Sequence, residues 1–283
     1  MILFPENGRL GNQLFQYCGL QAFLPNQRII FFGFEDLSSF CIDSYAIFVT
    51  RKFFLSSYLF KAFCVSLLLL SRFRILSQIS EELYAENYKL VVRKGLFSNI
   101  YVPVNVFFQH YDVFSKFTNL PSLKPSLFER AISWLSSNGL DPDSDNLVFV
   151  HIRRGDYLSW PSVHSPAALG LTWYLSAIEE FKKSFPDCTF VLMGDDVLYL
   201  EDIALLLSGC FVSHNPPPID FALMTLCRHG ILSASSFAWW GAKYASIYYQ
   251  SDSVFFAPKY WIGHRTQLWD PPFMISTQLT YHL

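Results

Sequence analysis

Residues 148–156 read VFVHIRRGD, an apolar run that ends in a histidine, two arginines, a glycine and an aspartate. A buried strand that stops at paired guanidinium groups can deliver a planar, permanently charged phosphate clamp to a cleft. In a regular strand Arg153 and Arg154 would point to opposite faces, so we expect Arg154 to be the main pyrophosphate ligand. Arg153 is then a second ligand or a support. The alternative for both is a surface ion pair with Asp156.

Two acidic elements follow later predicted strands. Asp195 and Asp196 come directly after the apolar run 189–193, and Asp220, after a proline-rich turn, is a weaker candidate of the same kind. Any of these carboxylates could hydrogen-bond the base or the ribose of a nucleotide. Because the pair lacks the intervening residue of a DxD metal element, and two arginines can neutralise a pyrophosphate, we predict no metal requirement.

Three serines, Ser233, Ser235 and Ser236, lie between a predicted strand and a predicted apolar helix. Ser235 and Ser236 are typical N-caps, and a helix N-terminus also attracts anions through its free N–H groups and its dipole. Capping and phosphate binding can coexist here, so all three serines are candidate donor ligands. Trp239 and Trp240 are expected to pack against the sheet.

Near the start, residues 8–17 read GRLGNQLFQY. The glycines allow positive φ angles and a close approach of the backbone to a ligand, although the lysine and spacing of an NTPase phosphate loop are missing. A tight turn before a helix is the alternative. Taken in order, the GxLGNQxFQY, HxRRxD and SSFxWWG blocks resemble the α-1,2-fucosyltransferase family of bacteria and animals.

The resemblance implies an inverting, metal-independent enzyme that transfers L-fucose from GDP-β-L-fucose to the 2-hydroxyl of a terminal β-galactoside. It implies no cofactor, and the acceptor would be a β-galactoside-terminated oligosaccharide or a lipid-linked glycan. The implied fold is α/β and GT-B-like, with two Rossmann-like domains and the nucleotide-sugar site in the C-terminal half. Alternatives are another GDP-sugar or linkage on the same scaffold, and a GDP-sugar-binding protein without transferase activity.

The resemblance also assigns roles to individual residues. Gly11 and Asn12 would line the donor site from the N-terminal domain, with Asn12 meeting the sugar or the acceptor. Asp156 is the first candidate for the base that accepts the proton of the acceptor hydroxyl. His151 is a further catalytic candidate beside Arg154 and Asn12; the alternative for this strand-end histidine is a packed, hydrogen-bonded residue.

Short apolar strands alternate with helices in the second half of the chain, which indicates a parallel, doubly wound sheet. A polar stretch at 136–146 suggests a boundary, so we predict an acceptor-side domain at 1–140, a GDP-fucose-binding domain at 146–265 and a C-terminal segment at 266–283 that can pack back on the first domain. The predicted strands are 147–152, 189–193, 210–212, 230–233 and 253–257, and the predicted helices are 13–23, 125–136, 173–185, 198–207, 219–228 and 236–248.

The 283 residues carry a formal net charge of −2, which does not favour a nucleic-acid partner. Six scattered cysteines without metal-ligand spacing, and no basic segment followed by an apolar core at the start of the chain, indicate reduced thiols and a cytoplasmic protein. One region is unusually apolar, at residues 53–74. Lys61 near its middle disfavours a membrane span, which leaves a buried helix, the favoured interpretation, or a helix with basic flanks resting peripherally on the inner membrane face.

Overall fold

The computed structural model describes residues 1–42, 46–84, 87–117, 120–250, 253–260 and 280–282. Contacts between Cα atoms divide the chain into two compact units between Lys124 and Pro125. Each unit is built around a sheet of six described strands. The division lies before the predicted boundary at 136–146, because the helix Pro125–Ser137 packs on the helix Pro217–Leu226 of the second unit.

In the first unit, helices flank a sheet with strand order β4-β2-β1-β7-β5-β6, parallel except for the antiparallel β5–β6 hairpin. A short antiparallel pair, β3–β8, lies apart from it. The elements are β1 (Ile2–Pro5), α1 (Leu10–Phe23), β2 (Ile29–Phe32), α2 (Glu35–Phe40), β3 (Cys41–Ile42), β4 (Ala46–Val49), α3 (Ser57–Arg72), β5 (Leu76–Tyr84), β6 (Asn87–Arg93), β7 (Phe97–Pro103), α4 (Tyr111–Phe114) and β8 (Ser122–Leu123).

Aromatic side chains fill much of the first core. Phe4 of β1 and Phe31 of β2 are fully buried beside Phe34, and the rings of Phe31 and Phe34 lie 4.4 Å apart between centroids. α1 is buried along most of its length, and its buried Gln13 and Gln16 donate from Nε2 to the carbonyls of Gly8 and Asn7.

The second unit is a parallel sheet with strand order β13-β12-β9-β14-β15-β16, as the alternation of strands and helices predicts. β9 lies inside the sheet and all of its residues are buried, which explains its continuous apolar sequence. The elements are α5 (Pro125–Ser137), β9 (Leu147–Ile152), β10 (Pro161–Ser162), β11 (Ser165–Pro166), α6 (Leu171–Ser184), β12 (Thr189–Gly194), α7 (Val197–Leu205), β13 (Cys210–Val212), α8 (Pro217–Leu226), β14 (His229–Ile231), α9 (Ser236–Tyr248), β15 (Phe255–Pro258) and β16 (Thr280–His282).

The C-terminal prediction falls mostly outside the described residues. Of the segment 266–283, only Thr280–His282 is described, and it forms the strand β16 beside β15 in the second sheet. The predicted packing of the segment on the first domain stays a prediction for the residues outside these three. Cys64, Cys188, Cys210 and Cys227 are thiols.

The apolar region at 53–74 is only partly buried. α3 packs Phe60, Leu67 and Ser71 inward, while the side chains on its opposite face are exposed. The favoured interpretation of a buried helix is thus wrong for half of the helix. No described helix is long and apolar enough to cross a membrane.

Candidate functional site

Three polar blocks lie side by side at the carboxyl ends of the second sheet's strands. β9 pairs with β12 so that Ile152 is opposite Gly194, and with β14 so that Val150 is opposite Ile231. Because these strands are parallel, the residues that follow them emerge at one edge of the sheet, where open α/β sheets bind ligands. The structure therefore brings the blocks 151–156, 194–196 and 233–236 to that edge.

Two arginines and three aspartates form a charged cluster at this edge. Arg153 Nη1 lies 2.7 Å from Asp195 Oδ2, and Arg153 Nη2 pairs with Asp156. Arg154 donates from Nε to Asp196 Oδ2 at 3.0 Å, and its backbone N–H donates to Asp195 Oδ1 at 2.8 Å. Every carboxylate of the cluster is paired with a guanidinium group, so the acidic residues hold the arginines in this arrangement.

The two arginines differ in what they can offer a ligand. Both terminal nitrogens of Arg153 are engaged, by Asp156 and Asp195. Arg154 is held only through Nε, and its terminal nitrogens have no partner among the residues that the structure describes. Arg153 therefore forms the ion pair with Asp156 and can act as a support. The terminal nitrogens of Arg154 can donate to a phosphate.

Aromatic rings lie beneath both guanidinium groups. The guanidinium carbon of Arg154 is 3.7 Å from the ring centroid of Tyr199, within the range of a cation–π contact. That of Arg153 is 5.3 Å from the ring of Tyr157, which in turn stacks against Trp160. Each arginine is thus held on one side by a ring and at its edge by carboxylates.

Asp196 links the cluster to a helix. It is the N-cap of α7, where its Oδ1 accepts from the backbone N–H of Tyr199 at 3.3 Å, while its Oδ2 accepts from Arg154. Asp195 and Asp196 therefore bind the arginines, and the predicted contact of one of them with a base or ribose stays a prediction. The start of α7 fixes both the carboxylate and the ring that hold Arg154.

His151 is buried beneath the cluster. Its Nδ1 lies 2.7 Å from Ser233 Oγ, which ties the end of β9 to the loop after β14, and its ring packs near Phe237. Burial and then the nearby Arg153 lower the pKa of His151 to about 3, so the imidazole is neutral at ordinary pH. The packed, hydrogen-bonded alternative describes His151 in this structure, while the catalytic role of His151 and the donor-ligand role of Ser233 stay predictions.

Ser235 is the N-cap of α9 and accepts a hydrogen bond from the backbone N–H of Phe237 at 3.3 Å. Ser236 is the first residue of the helix and is half-buried. Trp239 and Trp240 are buried, which confirms that they pack in the core. The capping prediction for Ser235 is confirmed, and phosphate binding at this helix start stays a prediction.

Asp220 lies in the first turn of α8 and is buried. Ser213 Oγ donates to Asp220 Oδ1 at 2.6 Å, and the Asn215 backbone and side chain donate to Ser213. Burial raises the pKa of Asp220 to about 7, against the opposing effect of the Ser213 hydrogen bond. Its contacts hold the loop after β13, and the predicted contact with a nucleotide stays a prediction.

The GRLGNQ block is more helical than predicted. α1 begins at Leu10, so Gly11 and Asn12 lie in its first turn, and only Gly8 has a positive φ, of 83°. Asn12 Oδ1 accepts from Gln109 Nε2 at 2.8 Å, and Gly11 is buried. The tight turn before a helix is present, and the donor-site roles of Gly11 and Asn12 remain predictions from the family resemblance.

Within the described residues, no group of three His, Cys, Asp or Glu side chains is arranged to hold a metal ion. A pyrophosphate at this edge would meet arginine nitrogens instead. Independence from metal nevertheless stays a prediction.

A family model described as glycosyl transferase family 11 matches residues 4–266. The chain belongs to glycosyl transferase family 11. The match takes in the GRLGNQ block, the charged cluster and the start of α9, the three sites on which the resemblance rests.

Curated relatives of this family 11 protein come from bacteria and mammals. The alpha-1,2-colitosyltransferase of Escherichia coli is 34% identical over 105 residues, which are 34% of this chain and 36% of the relative. The O-antigen biosynthesis glycosyltransferase WbnK of Escherichia coli is 26% identical over 43% of this chain and 41% of the relative. The galactoside alpha-(1,2)-fucosyltransferase 2 of Mus musculus is 29% identical over 44% of this chain and 35% of the relative. The matches thus span less than half the length of each relative.

Solved fucosyltransferases share the fold of the family 11 protein. NodZ from Bradyrhizobium has a TM-score of 0.54 at 14% identity, over 86% of this chain and 90% of that chain. POFUT1 in complex with GDP has a TM-score of 0.56 at 13% identity, over 90% of this chain and 97% of that chain. At these identities the likeness concerns the fold alone, and it confirms the predicted GT-B-like class.

Sequence reasoning missed Tyr199 and Tyr157. Tyr199 follows the N-cap Asp196 by three residues, and Tyr157 follows Arg153 by four. A tyrosine close in sequence to a predicted phosphate-binding arginine or to its carboxylate partner is the signal that could have found both.

Proposed function

We propose that this family 11 protein is an inverting, metal-independent fucosyltransferase that transfers L-fucose from GDP-β-L-fucose to the 2-hydroxyl of a terminal β-galactoside. The observation that carries the proposal is Arg154, fixed at the carboxyl edge of a parallel sheet by Tyr199 and Asp196 with its terminal nitrogens available. A pyrophosphate is the ligand that such a planar pair of donors fits.

The structural neighbours support GDP as the nucleotide of the proposed donor. POFUT1, with the same fold, is described in complex with GDP and, at a TM-score of 0.53, in complex with GDP-fucose. The linkage is supported by the mouse relative, a galactoside alpha-(1,2)-fucosyltransferase.

In the proposed reaction, the bond from the anomeric carbon of fucose to the β-phosphate oxygen breaks as the bond to the galactose 2-oxygen forms. The developing charge on GDP falls on the oxygens beside Arg154, and a charge-assisted hydrogen bond there is stronger in the transition state than in the bound donor. Attack from the opposite face converts the β-linked donor into an α-linked product.

The proton of the 2-hydroxyl needs an acceptor, and Asp156 is the proposed one. Its carboxylate is exposed at the same edge and is held by Arg153. His151 is a poorer choice, because its ring is buried and its Nδ1 is engaged with Ser233. Because GDP is a good leaving group, a weakly basic carboxylate suffices.

A second donor is favoured by one observation. The relative with 34% identity is named an alpha-1,2-colitosyltransferase, so the same linkage can be made with a colitosyl donor by a related protein. The acceptor is proposed to be a β-galactoside-terminated oligosaccharide or, in view of the O-antigen relative, a lipid-linked glycan.

Nuclear magnetic resonance of the purified product tests the linkage. The protein is incubated with lactose and either GDP-fucose or the GDP-activated colitosyl donor. We expect an α-anomeric fucosyl signal and a glycosylation shift at carbon 2 of galactose. A β-anomer would contradict inversion, and a shift at another carbon would contradict the linkage. Transfer from the colitosyl donor but not from GDP-fucose would mean that the donor is the colitosyl one. Binding of GDP without any product would indicate a binding protein.

A further inference from the structure

The outward face of α3 is apolar, and no described residue covers it. Phe60 and Leu67 pack inward on the first sheet, whereas Tyr58, Val65 and Leu69, seven and four residues apart, lie on the opposite face and are 82%, 52% and 46% exposed. Large exposed apolar patches are rare on protein surfaces, and those that occur mark interaction sites. The second apolar face of α3 therefore needs a partner.

The turn between β6 and β7 extends this face. The backbone N–H of Leu96 donates to the carbonyl of Arg74 at 2.8 Å, just beyond the end of α3. Leu96 is 80% exposed, and Phe73 at the helix end is 72% exposed. The helix, the segment before it and the region of the β6–β7 turn therefore contribute exposed apolar residues, here together named the α3 strip: Phe53, Leu55, Tyr58, Leu59, Val65, Leu68, Leu69, Phe73, Leu96 and Phe97.

The charge around the α3 strip is mainly positive. Residues 46–80 and 87–111 contain no aspartate or glutamate, although the whole chain has a net charge of −2. Arg51, beside the strip, is paired with Glu6 and Glu35. The structure shows no ion pair with a described carboxylate for the other exposed cations on or beside the strip, which are Lys52, Lys61, Arg72, Arg74, Arg93 and Lys94.

We propose that the α3 strip binds the surface of an anionic lipid bilayer, with α3 lying in the plane of the interface. Apolar side chains would enter the acyl boundary while the cations meet anionic headgroups, as in interfacial amphipathic helices. Lys61, within the apolar face, can extend its ammonium group to the headgroups along its aliphatic stem. With 16 residues, about 24 Å long, α3 lies on the bilayer and does not span it.

A second copy of the chain is a poorer occupant. A two-fold interface places the same patch on both partners. Six cations would then face six cations, while Glu6 and Glu35 beside the strip are already paired with Arg51, which disfavours association. An anionic lipid surface complements this charge.

Flotation of the full chain with vesicles tests the proposal. We expect binding to phosphatidylcholine vesicles that contain phosphatidylglycerol and little binding to pure phosphatidylcholine. The combined substitutions Arg72→Gln, Arg93→Gln and Lys94→Gln should weaken binding on the order of a hundredfold. The matched control, Arg28→Gln with Arg130→Gln, removes exposed cations elsewhere and should leave binding unchanged.

The apolar contribution needs its own variants. Val65→Ser with Leu69→Ser should abolish binding, whereas Leu205→Ser with Leu206→Ser, exposed on and just after α7, should not. Circular dichroism melts establish that each variant folds. The proposal is overturned if vesicles do not bind, if both lipid compositions bind equally, or if sedimentation shows a dimer that the Val65 and Leu69 variants disperse. Transfer activity is not the readout, so failure here leaves the proposed reaction standing.

Discussion

Arg154 is held in one plane by two neighbours of different kinds. The ring of Tyr199 lies under its guanidinium group, and Asp196 accepts from its Nε. Arginine loses little further freedom when it binds a phosphate in such a setting, because its planar group is already oriented. The ring should therefore affect donor binding without touching the donor itself.

Replacing Tyr199 by leucine removes the cation–π contact and keeps the apolar volume. A contact of this kind contributes about 0.5 to 2 kcal/mol, so we expect the KM for the donor to rise roughly 3- to 30-fold in Tyr199→Leu. Tyr199→Phe retains the ring and should behave like the wild type. Steady-state kinetics with varied GDP-fucose measure this, and an equal defect in both variants would mean that the hydroxyl group matters instead.

Asp220 makes stability depend on pH. Burial raises its pKa from 3.8 to about 7, so between these values the folded chain holds a proton that the unfolded chain has lost. The stabilisation that protonated Asp220 contributes to the folded state is fully present below about pH 4 and is lost as the pH rises through about 7. The full loss is about 4 kcal/mol if the whole shift is expressed.

Asp220→Asn keeps an acceptor for Ser213 and cannot ionise. We expect this variant to gain stability relative to the wild type on going from pH 5 to pH 8. Urea unfolding at the two pH values measures the difference. A stability difference that is the same at both pH values would show that Asp220 ionises normally.

For individual residues, the sequence predicts the charged groups of the site well and the side chains that contact them poorly. Arg154 and the acidic pair could be predicted from their position after apolar strands. The role of Tyr199 was missed: its closeness in sequence to Asp196 was the available signal, whereas hydrophobic periodicity does not separate a ring under an arginine from a core residue. The neutral state of His151 likewise depends on a partner, Ser233, that is distant in sequence.

Elements meet closely where β9 and β12 run side by side. A Cβ on Gly194 would lie 2.1 Å from the backbone oxygen of Ile152, and a Cβ on Gly155 would lie 2.6 Å from Asp195 Oδ2. The first contact involves the sheet backbone and the second a side chain that can move. Substitutions at the two glycines should therefore have different effects, one on stability and the other on activity.

Gly194→Ala should destabilise the second unit by about 2 to 3 kcal/mol, because the sheet backbone cannot yield without losing hydrogen bonds. The control is Gly139→Asn, at a φ of 72° with open space around it, which should cost less than about 1 kcal/mol. Thermal unfolding compares them. Equal melting temperatures in Gly194→Ala and the wild type would contradict the close packing of β9 on β12.

Gly155→Ala should instead impair activity in a stable protein. Its methyl group displaces Asp195, which holds both the Arg154 backbone and the Arg153 side chain. Losing one charge-assisted contact predicts a fall in kcat/KM of about 10- to 100-fold with little change in Tm. Unchanged kinetics would mean that Asp195 is dispensable.

Elements of the second unit could be predicted better than those of the first. Its short apolar strands alternate with helices, and α9 has the predicted bounds, Ser236–Tyr248. In the first unit the hairpin β5–β6 carries polar residues such as Gln78 and Glu81 within its strands, which hides the pattern of a strand. α3 is apolar on both faces, so composition alone could not say which face is buried.

At the scale of the whole molecule, function depends on local charge. The net charge of −2 does not indicate an anion site. Arg153 and Arg154 nevertheless lie together at one sheet edge, and six cations lie on or beside the α3 strip. Family membership and the fold follow from long stretches of sequence, whereas the identity of the acceptor is a proposal.

Transfer in the presence of a chelator tests the central claim most directly. Lactose and GDP-fucose are incubated with EDTA and wild-type protein, with Arg154→Ala, and with Arg130→Ala as the matched control on the exposed face of α5. Mass spectrometry should show one deoxyhexose added to lactose by the wild type and by Arg130→Ala, and a loss of at least about a hundredfold in Arg154→Ala. Full activity in Arg154→Ala, or activity that appears only when a divalent metal is restored, would contradict the arginine clamp.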